Sequence, residues 1–600
     1  MTRSRAQVRY AGQWDSPTSV FLSQAPTIAR SSASLTEDEK PAAAETGAGS
    51  SRSITPEENR KQRHKSTQLL IATSLPEQIA QSVQERDDGE EYPTGMKLGL
   101  IALALCLSVF LMALDNSIIA TAIPEITDQF QSLPDVGWYG SAYLLTTAAL
   151  QLLFGRFYTF FSIKWVFLIA IVIFELGSLI CGAANNSITL IIGRAVAGIG
   201  SAAIFSGALI ILAYSVPLHK RPMYTGLLGS MYGIASVSGP LLGGVFADKV
   251  SWRWCFFINL PVGAITLVVI GVFFPDPQRQ IKNDDTIVQR IMRFDPFGTL
   301  VFMPAVISLL LALQWGGTTY EWHSWRIILL FCSFAVLTLA FIFIQYKQQD
   351  LGTVPPRILF KRTVWAAGLY SFSLGAAFLG SVYYLPMWFQ AVKGANAVES
   401  GIMNLPMLIS VVVVSTLAGA AVTTWGYYTP FMLISSIFVA IGYGLLTTFQ
   451  PDTNSQTWIG YQLIVGIGVG FGLQQPLMAV QTVLDLEDVP TGTSIIVFLQ
   501  TLGGALFVSI AQNVFTNSLI EYIAEYVPQI PDPRIILTMG ATSIQTLVEP
   551  DLLPGVTQAY NDALTMSFVV FTAMACLSLI GSVLTEWKSV RGKEISAVMA

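Results

Sequence analysis

The chain has 600 residues, 52% of them hydrophobic and only 12% charged, with a mean hydropathy of +0.56. A soluble globular protein carries about 25% charged residues, so a water-soluble enzyme or a nucleic-acid-binding module is excluded. The net charge of −5 says little by itself, because acids and bases are segregated along the chain.

Residues 1–96 are rich in Ser, Thr, Ala, Glu, Gln and Arg and contain no apolar run long enough to span a bilayer. They read as a disordered cytosolic tail without the apolar h-region of a signal peptide, which leaves membrane targeting to the first span. From Lys97 onward, fourteen apolar runs of about twenty residues are predicted to be membrane helices. They cover 98–122, 138–158, 165–185, 188–212, 224–246, 257–274 and 297–315, then 326–345, 365–388, 400–421, 429–449, 459–482, 493–514 and 563–584. With the tail inside, the even-numbered connections are cytosolic and hold most of the Lys and Arg, which places both termini in the cytosol. Connections 422–428 and 483–492 carry no basic residue, so a missed or extra helix is expected, if anywhere, in the last third. Loop 515–562, with Pro528, Pro531, Pro533, Pro550 and Pro554, is expected outside, and 585–600 forms a cytosolic tail.

The chain also repeats itself. Gly198–Gly200 (GIG) recurs at Gly466–Gly468, Thr225-Gly226 at Thr491-Gly492, and Pro124, expected to end the first span, at Pro386, expected to end the ninth. These offsets predict two six-helix bundles, 97–274 and 365–584, separated by a linker and two extra helices over 275–364. The fold class is an all-α polytopic membrane protein.

Three charges lie deep in the spans: Asp115 in the first, Glu175 in the third and Arg194 in the fourth. At 1.5 Å per residue, Asp115 is roughly 27 Å along its helix from Lys97, in the outer part of a slab about 30 Å thick. Arg194, six residues into a span running the other way, reaches a similar depth, and opposite charges buried at one depth should pair. Glu175 is nearer the midplane with no cation in view, so it is expected to be protonated or to face water in one state. The bland reading of all three is a network that fixes helix packing. In the fifth span Gly226, Gly239, Pro240, Gly243 and Gly244 permit close helix approach and a bend, suiting a seam that seals a cavity.

Polar and aromatic residues inside spans are the candidates for contacting a ligand: Asn116, Gln151, Gln314, Trp315, Tyr384, Trp388, Gln390, Gln474, Gln475 and Gln500. The second half lacks deep charge, which suits a neutral or weakly polar organic molecule. The five cysteines, all in or beside apolar runs, read as small buried hydrophobes rather than a disulfide or metal set. No G-x-x-x-x-G-K-[ST] loop, HExxH pair or nucleophile–base cluster is present, so ATP hydrolysis and membrane-enzyme chemistry are not expected, and neither is a cofactor.

LDNSIIATAIP (Leu114–Pro124) resembles the first-span motif of the fourteen-spanner drug:proton antiporters of the major facilitator superfamily. GRAVAGIGSAA (Gly193–Ala203) is similar to their fourth-span motif, with Arg194 on its arginine. GLLGSMYGIASVSGPLLGG resembles the fifth-span antiporter motif, with Ala235 replacing a glycine, and VSWRWCFFINLPVG (Val250–Gly263) looks like the entry to their sixth span. The resemblance covers about 97–590 and is nearest to fungal toxin and multidrug efflux pumps. It implies proton-coupled export of a small organic compound by alternating access, with Asp115, Arg194 and Glu175 coupling, no cofactor beyond the proton gradient, and a monomer in the plasma membrane; a vacuolar or vesicle membrane is the alternative site. The rival reading is a symporter importing a siderophore or nutrient, against which the Gly239-Pro240 motif weighs. One departure stands out: GRFYTFFSIKW (Gly155–Trp165) puts Thr159 where the superfamily carries an acid and Ser162 at its second glycine, keeping only Lys164 as a basic position. A cytosolic charge latch would then have to use other residues, with Lys220 and Arg221 as candidates.

Overall fold

The computed structural model describes residues 92–591 except 131, 133–134, 278–293, 318, 535, 537–543 and 545–547. The expected N-terminal tail up to residue 91, the middle of the 275–364 linker and the last nine residues lie outside these. Each predicted span is a helix. In the first half these are α1 (Gly95–Phe130), α2 (Val136–Phe160), α3 (Ile163–Gly182), α4 (Ser187–Ser215), α5 (Arg221–Lys249) and α6 (Trp254–Phe273). The extra pair is α7 (Pro296–Trp315) and α8 (Trp325–Gln348). The second half has α9 (Arg362–Ala391), α10 (Leu405–Trp425), α11 (Thr429–Leu446), α12 (Ser455–Val483), α13 (Val489–Tyr526) and α14 (Leu553–Leu584). Among the described residues 13 helices are long and apolar enough to cross a membrane. The helix below that threshold is α2, whose Tyr139, Tyr143, Thr146, Thr147 and Gln151 turn inward to polar partners or to the seam between the halves.

Sequence-level signals explain several helix boundaries. Ser162 and Asn186 cap α3 and α4, accepting from the backbone N–H of Trp165 and Thr189. Pro476 lacks an N–H and crowds the preceding turn, and α12 breaks before it, between Gly472 and Gln475. Two expectations need correction. Neither Pro124 nor Pro386 ends its helix, since α1 runs on to Phe130 and α9 to Ala391. Loop 515–562 is partly helical: α13 continues to Tyr526 because Phe515, Leu519 and Ile523, four residues apart, form a buried stripe, with Phe515 against Tyr560 of α14.

Small residues set the packing distances. In α4, Gly198 faces Tyr143 and Thr146 of α2 while Gly200 faces Ala170 and Phe174 of α3. In α12, Gly466 faces Met407 and Ser410 of the α10 segment and Gly468 faces Val439 of α11. The repeated GIG therefore occupies corresponding positions, with α2, α3 and α4 matched by α10, α11 and α12. A Cβ on Gly177 would lie 2.3 Å from the backbone nitrogen of Ala197, and no rotamer change relieves a backbone clash. Gly177→Ala is expected to cost about 3 kcal/mol of stability, read as a lower thermal midpoint of purified protein.

Of the extra pair, α7 lies along α2 and α13, with Phe302 against Phe498 of α13 at 5.3 Å, and α8 packs on α7, with Phe341 4.8 Å from Phe302. Its base is tied by Asp295, wholly buried with positive φ, which accepts from Gly298 N–H, Gln345 Nε2, Thr353 N–H and Thr353 Oγ1. Asp295→Ala strands four donors and should destabilise this corner by about 3 kcal/mol or more, detectable as faster proteolysis at 349–356. The cysteine reading also needs correction: Cys106, Cys181 and Cys255 are buried, but Cys332 and Cys576 are exposed. They stand on outward faces of α8 and α14, where lipid rather than protein is the apolar neighbour.

Candidate functional site

The centre of the first half is a polar cluster in an otherwise apolar core. Arg194 of α4 and Asp115 of α1 are both fully buried, and Arg194 Nη1 donates to Asp115 Oδ2 at 2.5 Å. Arg194 Nε donates to the Tyr139 carbonyl of α2 at 2.8 Å, and its guanidinium lies 4.5 Å from the centre of the Tyr143 ring. Tyr143 is itself fixed by donating to Ser201 Oγ at 2.7 Å. Asn259 of α6 completes the cage: its Nδ2 donates to Asp115 Oδ1 at 3.1 Å and to Ser178 Oγ of α3 at 3.0 Å. Helices α1, α2, α3, α4 and α6 thus converge on one ion pair. An ion pair in a slab of lipid survives only when its remaining hydrogen-bonding capacity is met, and these neighbours meet most of it.

Glu175 lies one turn from Ser178 on the same face of α3, against Gly263 of α6, where a Cβ would sit 1.8 Å from Glu175 Oε1. Among the described residues neither Glu175 oxygen has a hydrogen-bond partner, and the same holds for Asn259 Oδ1 and Arg194 Nη2.

The glycine motif joins this cluster to the seam between the halves. Gly239 and Gly243 meet Ser117 and Thr121 on the α1 turns just beyond Asp115, and Ser117 Oγ donates to the Ala235 carbonyl at 3.0 Å. The opposite side of α5 meets the second half: Gly226 against the Ser415 carbonyl of α10, Pro240 beside Gly401, and Gly244 beside Val398. Contact is tight from Gly226 to Gly233, where a Cβ on Gly226 would come within 2.7 Å of that carbonyl and one on Gly233 within 2.4 Å of the Val412 side chain; beside Pro240 and Gly244 the corresponding distances are 3.7 Å.

At the end of the bundle where α2 stops and α13 starts, the halves are joined. Thr159 Oγ1 and Thr491 Oγ1 are 3.1 Å apart, the Tyr214 hydroxyl donates to the Leu486 carbonyl, and a Cβ on Gly155 would strike Ser494. Arg156 donates to the Leu351 carbonyl at 2.8 Å, while Arg357 pairs with Asp350 and, through both terminal nitrogens, with Asp488. Hydrogen bonds from Asp488 and Asp350 push the Arg357 guanidinium above its ordinary value. Thr159, in the acid's position, thus makes a neutral contact across the seam. Arg221, proposed for a latch, donates to the Val216 carbonyl at the end of its own hairpin.

The structure divides the ligand-contact candidates. Gln151, Gln474 and Gln475 are buried, and among the described residues Gln151 Nε2, Gln474 Oε1 and Gln475 Oε1 have no hydrogen-bond partner; Gln474 packs on Gly229 of α5, across the seam. Asn116 and Gln500 are half-buried, Gln500 packing on Gly375 of α9. The other five have protein partners in this conformation. Tyr384 donates to the Val508 carbonyl and Trp388 Nε1 to Asn561 Oδ1, both within the second half. Gln390 donates to Ser400, Gln314 to Ser141 of α2, and Trp315 sits between Trp138 and Tyr320. Sequence reading missed Asn259, Ser178 and Tyr139. Asn259 lies within the quoted VSWRWCFFINLPVG stretch, and an amide one turn before Gly263 in an apolar run was the available signal.

A family model described as Major Facilitator Superfamily matches residues 105–508. The chain is 57% identical to the "MFS-type efflux pump MFS1" of Arthroderma benhamiae, over 88% of this chain and 98% of that one. It is 51% identical to the "Aspyridones efflux protein" of Neocamarosporium betae, covering 85% and 90%, and 48% identical to "Efflux pump aflT" of Aspergillus parasiticus, covering 85% and 99%. Among solved structures, a proton:xylose symporter, XylE, superposes with a TM-score of 0.55 at 15% identity over 85% of this chain and all of that one. The human organic anion transporter MFSD10 gives 0.54 at 12% identity over 82% and 99%. At these identities the solved structures speak to the fold alone.

Proposed function

This chain belongs to the major facilitator superfamily, and from that premise we propose that it exports small, neutral or weakly polar organic compounds in exchange for protons. The observation that carries the reading is the wholly buried Asp115–Arg194 pair, wired through α5 to the seam between the halves. Arg194 cannot lose its proton inside the protein, whereas Asp115 can gain one. Protonation of Asp115 removes the counter-charge, weakens the hold of α1 on α4 and changes the surface that α5 presents to α10. The conformation with Thr159–Thr491 and Tyr214–Leu486 closed is the one in which the proton arrives from the face opposite the N-terminal tail. Opening on the tail side releases the proton and admits substrate to the buried amides of Gln151, Gln474 and Gln475, each with one atom lacking a hydrogen-bond partner among the described residues. The relatives named as efflux pumps support the direction of transport, and the absence of charge among those amides supports the substrate class.

One proton falling through 100 mV supplies about 2.3 kcal/mol, and one pH unit adds about 1.4 kcal/mol. Together they sustain a gradient of roughly several hundred-fold for a neutral compound, with no ATP and no cofactor. The protein acts as a monomer in the plasma membrane with both termini in the cytosol. Inside-out plasma-membrane vesicles bathed in a neutral fluorescent dye test this. An imposed acid interior without ATP should drive dye accumulation. Accumulation that requires ATP and ignores the gradient would overturn the reading, and acid-driven uptake by intact cells would make the protein an importer.

A further inference from the structure

We infer that Asn259 is a positioning residue that lets Glu175 and Asp115 share a single proton. The inference rests on the proton-coupling reading above and adds to it a second carboxyl and the group that connects the two.

The geometry is a two-rung ladder between α3 and α6. One rung is Ser178–Asn259, hydrogen-bonded at 3.0 Å, and the other is Glu175–Gly263, in direct contact. Ser178 follows Glu175 by three residues and Gly263 follows Asn259 by four, so the rungs are about one helical turn apart on facing surfaces. Because Gly263 has no side chain, the Glu175 carboxyl lies flat against α6 and can swing along it to Asn259. The amide presents different ends to the two acids. Its Nδ2 donates to Asp115 Oδ1, while its Oδ1 is buried with no partner among the described residues. Both Glu175 oxygens are also without one.

This polarity reads protonation. A protonated Glu175 is a donor that fits Asn259 Oδ1, leaving both amide hydrogens on Ser178 and the Asp115 carboxylate. An ionised Glu175 can only accept, so it competes with Asp115 for the same amide hydrogens. Asp115, losing a donor to its charged form, then takes the proton. The step balances as one proton leaving a Glu175 O–H and forming an Asp115 O–H, with one carboxylate and one guanidinium before and after. While the proton is held, the buried cluster therefore has one carboxylate opposite one guanidinium, whichever acid carries the proton. The other ionisable groups facing it are Tyr139 and Tyr143 on α2, Cys181 on α3, Cys255 on α6, Tyr232 on α5 and Tyr383 on α9; Glu125 of α1 lies further out, toward Cys255. Tyrosines and thiols stay neutral near pH 7, so Asp115 and Glu175 are the titrating pair within the cluster.

Infrared pH titration of the purified full chain in lipid nanodiscs tests this, with no substrate needed. The protonated-carboxyl stretch of Asp115 is identified by its loss in Asp115→Asn, and that of Glu175 by its loss in Glu175→Gln. In the otherwise natural chain, Glu175→Gln is expected to move the Asp115 midpoint by about one pH unit; in Asn259→Ala the same change should leave it unmoved. Gly263→Ala, which displaces only the flexible end of Glu175, should likewise silence the effect of Glu175→Gln, and it serves if Asn259→Ala fails to fold. An equal shift with and without Asn259 would overturn the inference, as would no shift in either background. Either result alongside intact gradient-driven export removes Asn259's role alone, whereas export indifferent to the gradient removes the reading beneath it.

Discussion

Replacing Asp115 by Asn is expected to collapse the steady-state substrate gradient in energised vesicles from several hundred-fold to near unity. Asn fills the same volume and keeps one oxygen for Arg194, while its NH2 replaces the oxygen that faced Asn259, so the helices can still meet. What it cannot do is exchange a proton. The driving force supplied by one proton, about 3.7 kcal/mol under 100 mV and one pH unit, is then disconnected from the conformational cycle. Substrate can still equilibrate if the halves rock, so the variant should bind dye and leak it downhill. Loss of binding together with loss of pumping would mean that Asp115 serves the substrate rather than the proton.

The second large effect concerns stability, and it is asymmetric. Asp115→Asn leaves Arg194 as a permanent cation with no counter-ion at zero exposure, a situation costing about 3–5 kcal/mol. Arg194→Ala leaves a carboxyl that can neutralise itself by taking a proton, so the charge penalty is smaller, although the Tyr139 carbonyl and the face of Tyr143 lose their partner. The double variant Asp115→Asn with Arg194→Gln removes both charges while keeping much of the shape. Its thermal midpoint should recover above that of Asp115→Asn alone, while gradient-driven pumping stays absent. If the double variant is no more stable than Asp115→Asn, charge burial is not what the pair is managing.

The chain shows plainly what sequence carries about a membrane protein and what it does not. Charges inside apolar runs are so costly that Asp115 and Arg194 announced each other, and helical rise alone placed them at one depth. The duplicated GIG and the run lengths located the helices, because lipid imposes a length and an apolarity that are read directly. The rotation of each helix about its axis was not legible. Tyr384, Trp388 and Gln390 sit in spans as polar as those of Gln474 and Gln475, yet their polar atoms turn into the second half or onto a neighbouring turn. Asn259 was passed over because an amide in a span is ordinary; only its two simultaneous bonds to Asp115 and Ser178 distinguish it. Thr159 marked a departure correctly located, but its contact, a neutral bond to Thr491, depends on a residue more than three hundred positions away.

The most direct test of proton coupling through Asp115 is simultaneous measurement of proton and substrate fluxes in liposomes reconstituted with the purified protein and loaded with a pH-sensitive dye. The natural chain should move protons out as a neutral substrate moves in down an imposed substrate gradient, and Asp115→Asn should move substrate with no proton flux. Equal proton flux per substrate in both proteins would contradict the account.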